Sequence, residues 1–161
     1  SETYMAEGMA LVFTLDSARW TAKAASTEEA DDDAFFALMD KAWGSARALG
    51  WATWDVRTWD YGGCSGLGDG TVHDVLVMTD QAKGPNFAEE VAETRRRALV
   101  AVLQDNPQFP RCDAKALEPT PAEALQAEAR AILADVALTA EERAAVETRL
   151  PKLIGQPPTG G

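Results

Sequence analysis

The sequence is poor in histidine, cysteine and positive charge, and it holds no long apolar run. One histidine, His73, and two well-separated cysteines, Cys64 and Cys112, cannot furnish a structural zinc site without help from carboxylates. Two cysteines in 161 residues are also too few for a disulfide scaffold, although one Cys64–Cys112 bridge stays open if the fold brings them together. No apolar stretch reaches the roughly 18 residues of a membrane span. No basic segment followed by an apolar one opens the chain at Ser1-Glu2-Thr3-Tyr4, so the expected location is cytoplasmic. With Lys+Arg 15 against Asp+Glu 26 the net charge is −11 and the pI about 4.5. Phosphate repels such a chain, which argues against nucleic acid, whereas a basic protein would be steered toward it. Plain solubility is the ordinary alternative for that charge.

What is present is enough apolar material for a core, at 46% of residues. Charge and proline divide it. Residues 1–110 hold 18 acids and 9 bases, a balance of −9, while 111–161 hold 8 and 6. Pro107, Pro110, Pro119 and Pro121 punctuate the boundary. The expected organisation is an α+β core over 1–106, a proline-containing connector over 107–119, a helical hairpin over 120–154 packed on the core or on a partner, and a disordered tail over 155–161.

Within the core, Leu11, Phe13 and Leu15 alternate as a strand would, and Phe35, Phe36, Met39, Ala42, Trp43, Ala46 and Leu49 form a helical stripe. Trp51–Tyr61 is rich in aromatic and β-branched residues and Thr71–Thr79 in β-branched ones, so both are expected as strands. Gly62–Gly70, with five glycines in nine residues, would join them as an antiparallel hairpin. A second core helix is expected from Asn86 as its N-cap, with Glu89 three residues on. The resulting β-α-β-β-α order fits a ferredoxin-like or similar α+β sandwich with a small antiparallel sheet. In the tail, Thr120-Pro121-Ala122-Glu123 and Thr139-Ala140-Glu141-Glu142 read as two helix starts. Neither narrow apolar stripe is stable alone, so these helices are expected to pack against something.

Several groups were weighed for chemistry. Cys64 and His73 would make a Cys–His nucleophile pair if the hairpin loop brought them into hydrogen-bond reach, and they are weak catalytic candidates. The ordinary alternative is a loop thiol and a surface histidine. Asp60, Asp69 and Asp74 surround the same loop but lack the register and closing Glu of a calcium site, so no metal site is expected. Gly66-Leu67-Gly68-Asp69-Gly70 departs from the dinucleotide fingerprint and leads into an expected strand, so nucleotide binding is rejected and no cofactor is expected. Arg95-Arg96-Arg97 would spread around a helix and pair with nearby glutamates.

The expected partner surface is the aromatic strand together with the acids of the first helix. Odd positions place Trp51, Arg57, Trp59 and Tyr61 on one face, the residue types that dominate binding hot spots. A second core layer over that face is the ordinary alternative. Asp31, Asp32 and Asp33 would supply the steering charge. These features indicate a non-catalytic acidic module, of inhibitor, immunity or assembly-factor type, that binds a basic protein. The alternatives are a self-assembling subunit that uses its C-terminal helices to form a homo-oligomer, or a small Cys/His enzyme.

Overall fold

Val72, Val75, Leu76 and Thr79 are all buried, and their spacing of three, one and three residues is that of one helical face. The computed structural model describes residues 2–6, 10–14, 17–43, 67–104 and 120–154, and Thr71–Gln81 is a helix in it. In chain order the elements are β1 (Glu2–Ala6), β2 (Ala10–Thr14), α1 (Ser17–Ala24), α2 (Ala30–Trp43), α3 (Thr71–Gln81), α4 (Ala88–Leu103), α5 (Ala122–Asp135) and α6 (Ala140–Arg149). Short 3₁₀ turns stand at Pro85–Phe87 and Leu150–Lys152.

The α+β, ferredoxin-like expectation is therefore corrected. Among the described residues the strands form a two-stranded antiparallel ribbon, paired from Glu2 opposite Thr14 to Ala6 opposite Ala10. Every side chain found buried lies on a helix or in a turn flanking one. A two-stranded ribbon is not the layer on which a sandwich can be built. The error came from weighing β-branched residues above period. Val and Thr cost a few tenths of a kcal/mol each in a helix. Burying one Val or Leu is worth about 1.5–3 kcal/mol, and α3 has three with no exposure at all. Packing wins.

α3 is the hub, lying against α2, α4 and α5. Around it gather Phe35, Leu38 and Ala42 of α2, Val91, Ala98, Leu99 and Val102 of α4, and Leu125, Ala129 and Ile132 of α5. α6 rests on α4 and α5, with Val146 and the following Leu153 fully buried. The apolar stripes of the C-terminal helices are thus largely buried against their own chain, with Ile154 left exposed.

Helix starts differ in their devices. α6 opens on a capping box: Thr139 Oγ1 accepts the Glu142 amide at 3.1 Å, and Glu142 Oε2 accepts the Thr139 amide at 2.9 Å. α5 begins at Ala122, one residue later than expected, and Thr120 makes no capping bond. Thr120 is buried instead, with its methyl facing Gly68 and its hydroxyl without a hydrogen-bond partner. α4 begins at Ala88, after a 3₁₀ turn, so Asn86 is not its cap. Pro85 opens that turn, and the Phe87 ring stacks on Phe35 at 4.0 Å, an anchor in place of a cap. Trp51, Arg57, Trp59, Tyr61, Cys64, Cys112, the 107–119 connector and the 155–161 tail lie outside the described residues.

Candidate functional site

Three places gather polar chemistry. The first is the N-terminal end of α3. Gly68 and Gly70 both adopt positive φ, +107° and +87°, to turn the chain into the helix. A side chain at Gly68 would also collide with the Thr120 methyl. The turn aims backbone amides at Glu128 of α5, whose carboxylate accepts from Gly68 and, at 2.9 Å, from His73. Asp69 Oδ1 accepts the Thr71 amide at 2.9 Å. Burial pushes the Glu128 carboxyl up, the amides of His73, Gly68 and Gly70 pull it down, and the charge of Asp69 raises it further; the balance is upward.

This overturns the stated reason for rejecting an anion site, since the glycine-rich segment does lead into a helix. The rejection now rests on occupancy. The amides that a phosphate would use already serve Glu128 and Asp69, so an incoming anion would have to displace a carboxylate.

His73 stands at the same end. Its Nδ1 is 3.2 Å from Asp74 Oδ1 and its Nε2 3.1 Å from Asp135 Oδ2, at the end of α5. Lys41 of α2 holds the other Asp74 oxygen at 2.6 Å. Burial raises the Asp74 carboxyl, but hydrogen bonds from Lys41 and His73, with their charges, outweigh it and leave it below the ordinary value. His73 thus lies on a helix, not a strand, and both ring nitrogens face carboxylates. Neither is turned toward a nucleophile among the described residues. With 71–79 helical, the hairpin geometry that was to bring Cys64 to His73 is gone. Among the described residues no group of three or more His, Cys, Asp or Glu side chains is arranged to hold a metal ion.

The second place is Arg95 of α4. Its NH1 donates to Asp80 Oδ1 at 2.9 Å, its NH2 to Glu142 Oε2 at 3.1 Å, and NH2 also to the Ala137 carbonyl at 3.0 Å. Asp80 in turn accepts the Ala137 amide at 2.7 Å. One guanidinium therefore joins α3, α4, α6 and the turn before α6. Burial lowers the Arg95 pKa, the carboxylates of Glu142 and Asp80 raise it, and the balance is upward. Glu142 is held low in turn: burial works upward, but Arg95 and Thr139 outweigh it. The expectation that the arginine run pairs within its helix holds for Arg96 and Arg97, which share Glu93, and fails for Arg95. Those two arginines bring the exposed Glu93 carboxyl down to about 2.

The third place is the corner formed by α1 and α2. Asp31, Asp32 and Asp33 occupy the first turn of α2, where the helix dipole favours acids. Asp31 is packed so closely on Gly84 that a Cβ there would collide with its carboxyl. Asp33 is exposed and Asp32 half-buried. Among the described residues, the side chains of Glu28, Glu29, Asp32 and Asp33 form no hydrogen bond or ion pair. Trp20 of α1 is 41% exposed, and its ring stacks on Phe36 of α2 at 5.8 Å and 12°. Lys23 Nζ lies 5.3 Å from the Trp20 ring centre. Sequence reasoning missed Trp20, Glu128, Asp135 and Lys41.

Among the described residues no helix is long and apolar enough to cross a membrane. Comparison with protein-family models, curated proteins and solved structures finds no match for this chain.

Proposed function

We propose that the chain is a non-catalytic acidic interaction module that binds a basic protein partner, as an inhibitor, an immunity-type partner or an assembly factor. One observation supports this reading above the rest. Elsewhere in the described fold, Asp74, Asp80, Glu93, Glu128, Asp135 and Glu142 are engaged by cations, imidazole or amides, while the exposed Glu89, Glu90, Glu123, Glu141 and Glu147 are not. The acids of the α1–α2 corner are likewise unengaged, and they differ in standing on the same helix pair as an exposed tryptophan. Uncompensated charge of one sign steers an oppositely charged partner, and a rigid aromatic anchors it.

The test is to recover the protein that co-purifies with the chain and to time their association across ionic strength. A basic partner whose on-rate falls with salt supports the reading. An acidic or neutral partner, or an on-rate indifferent to salt, contradicts it. Of the stripes that motivated the self-assembly alternative, Leu125, Ile132, Val146 and Leu153 are buried within the chain, while Ile154 is 69% exposed.

A further inference from the structure

α1 buries little. Among its residues Ala24 is buried and Thr21 half-buried, whereas Arg19, Trp20, Ala22 and Lys23 face solvent. Its largest apolar side chain is therefore spent on the surface. The Trp20 ring is nonetheless fixed in place. It lies nearly parallel to Phe36, which meets Phe35 edge-on at 5.2 Å and Phe87 at 6.1 Å. Thr21 Oγ1 ties the two helices by donating to the Phe36 carbonyl at 3.3 Å. An aromatic held in this way loses little freedom when a partner covers it.

The surroundings of the ring carry a sign. Asp33 and Asp32 precede Phe36 by three and four residues, which puts them on its side of α2. Residues 17–33 hold five acids, Glu28, Glu29, Asp31, Asp32 and Asp33, against Arg19 and Lys23. Lys23 Nζ already lies 5.3 Å from the Trp20 ring centre, so a partner's cation would take the place that Lys23 now holds. We propose that the Trp20 ring at the α1–α2 corner, with Asp32 and Asp33 beside it, is the anchor point for an arginine side chain of the basic partner.

This rests on the basic-partner reading and deepens it. A guanidinium is planar and weakly hydrated, so it stacks on the indole while its N–H groups reach the carboxylates; an ammonium does this less well. An anionic lipid surface would be repelled by the same acids. A second copy of this chain would bring net charge −11 toward −11, which disfavours self-association at this face.

The test uses the full chain and three labelled nonapeptides in which glycine alternates with arginine, lysine or glutamate, titrated at low salt by fluorescence anisotropy. The arginine peptide should bind several-fold more tightly than the lysine peptide, and the glutamate peptide not at all. Trp20→Ala should weaken arginine-peptide binding by about tenfold, whereas Trp20→Phe, which keeps a ring, should stay within about threefold. Circular dichroism of both variants should match the parent chain, because Trp20 is not core. If Trp20→Ala binds the arginine peptide as well as the parent does, the anchor is refuted while the basic-partner reading survives. If the parent chain fails to bind the arginine peptide at low salt, both fall.

Discussion

The paired charges of the α3–α6 body and the exposed acids of the α1–α2 corner behave in opposite ways. In the body, Arg95 gathers Asp80, Glu142 and the Ala137 carbonyl, and Glu128 gathers amides at the start of α3. Each of these charges holds elements together. At the corner, Glu28, Glu29, Asp32 and Asp33 hold nothing among the described residues, beside a tryptophan that could have been buried and is not. A buried charge left without its partner costs several kcal/mol, so the body has to close its own account; an exposed acid costs almost nothing and is available to another molecule. Those paired charges are structural, whereas the corner's acids, beside the tryptophan, are the ones to test for binding.

The largest break in this comparison should come from Arg95→Met. It leaves Asp80 and Glu142 facing each other's junction without a cation, and should cost about 2–3 kcal/mol in urea unfolding, somewhat under the cost of breaking a fully buried pair because Arg95 keeps partial exposure. A loss below about 0.5 kcal/mol would mean that the junction is ornamental. Gly68→Ala should come next, at about 2 kcal/mol, because it forces an L-residue to φ +107° and drives a methyl into Thr120. An unchanged melting temperature would show that the α3 turn is looser than described.

pH sharpens the contrast within the body. Folding lowers the Asp74 and Glu142 carboxyls, so the stability they contribute is present above the ordinary carboxyl range and lost as acid reaches their lowered values. Folding raises Glu128, so its contribution runs the other way: full in acid, and lost as pH climbs through the raised value. Glu128→Gln should remove that second slope, so its stability relative to the parent should rise as pH climbs through the raised value. A pH profile parallel to the parent's would contradict the upward shift. The smallest stability effect belongs to the corner. Asp32→Asn/Asp33→Asn should change unfolding by less than about 0.5 kcal/mol. A larger loss would make those acids part of the body's structure.

Much of the helix content was legible, and the fold class was not. The α2 stripe read from Phe35, Phe36, Met39 and Ala42 and the Thr139–Glu142 box are local patterns with local consequences, although the stripe missed the fully buried Leu38. Residues 71–79 carry two signals, β-branched composition and helical period, and composition was followed where period decides, since burial of Val72, Val75 and Leu76 outweighs propensity. The site residues that escaped are those whose partners lie far along the chain. Arg95 and Glu142 are 47 residues apart, and Glu128 and His73 are 55 apart. A faint signal existed for both. Glu128 falls on the stripe of Leu125, Ala129 and Ile132, and Arg95 lies between buried Thr94 and Ala98; a charge on a buried face must have a partner waiting. Trp20 escaped because eight residues of α1 are too short to show a period.

Binding at the corner turns on its acids, and their effect on association rate is the most direct measure of it. The on-rate of the alternating arginine–glycine nonapeptide should be followed from about 10 to 300 mM salt for the parent chain and for Asp32→Asn/Asp33→Asn. The parent's rate should fall steeply with salt, and the variant's should start several-fold lower and fall less. Superimposable curves for the two proteins would contradict it.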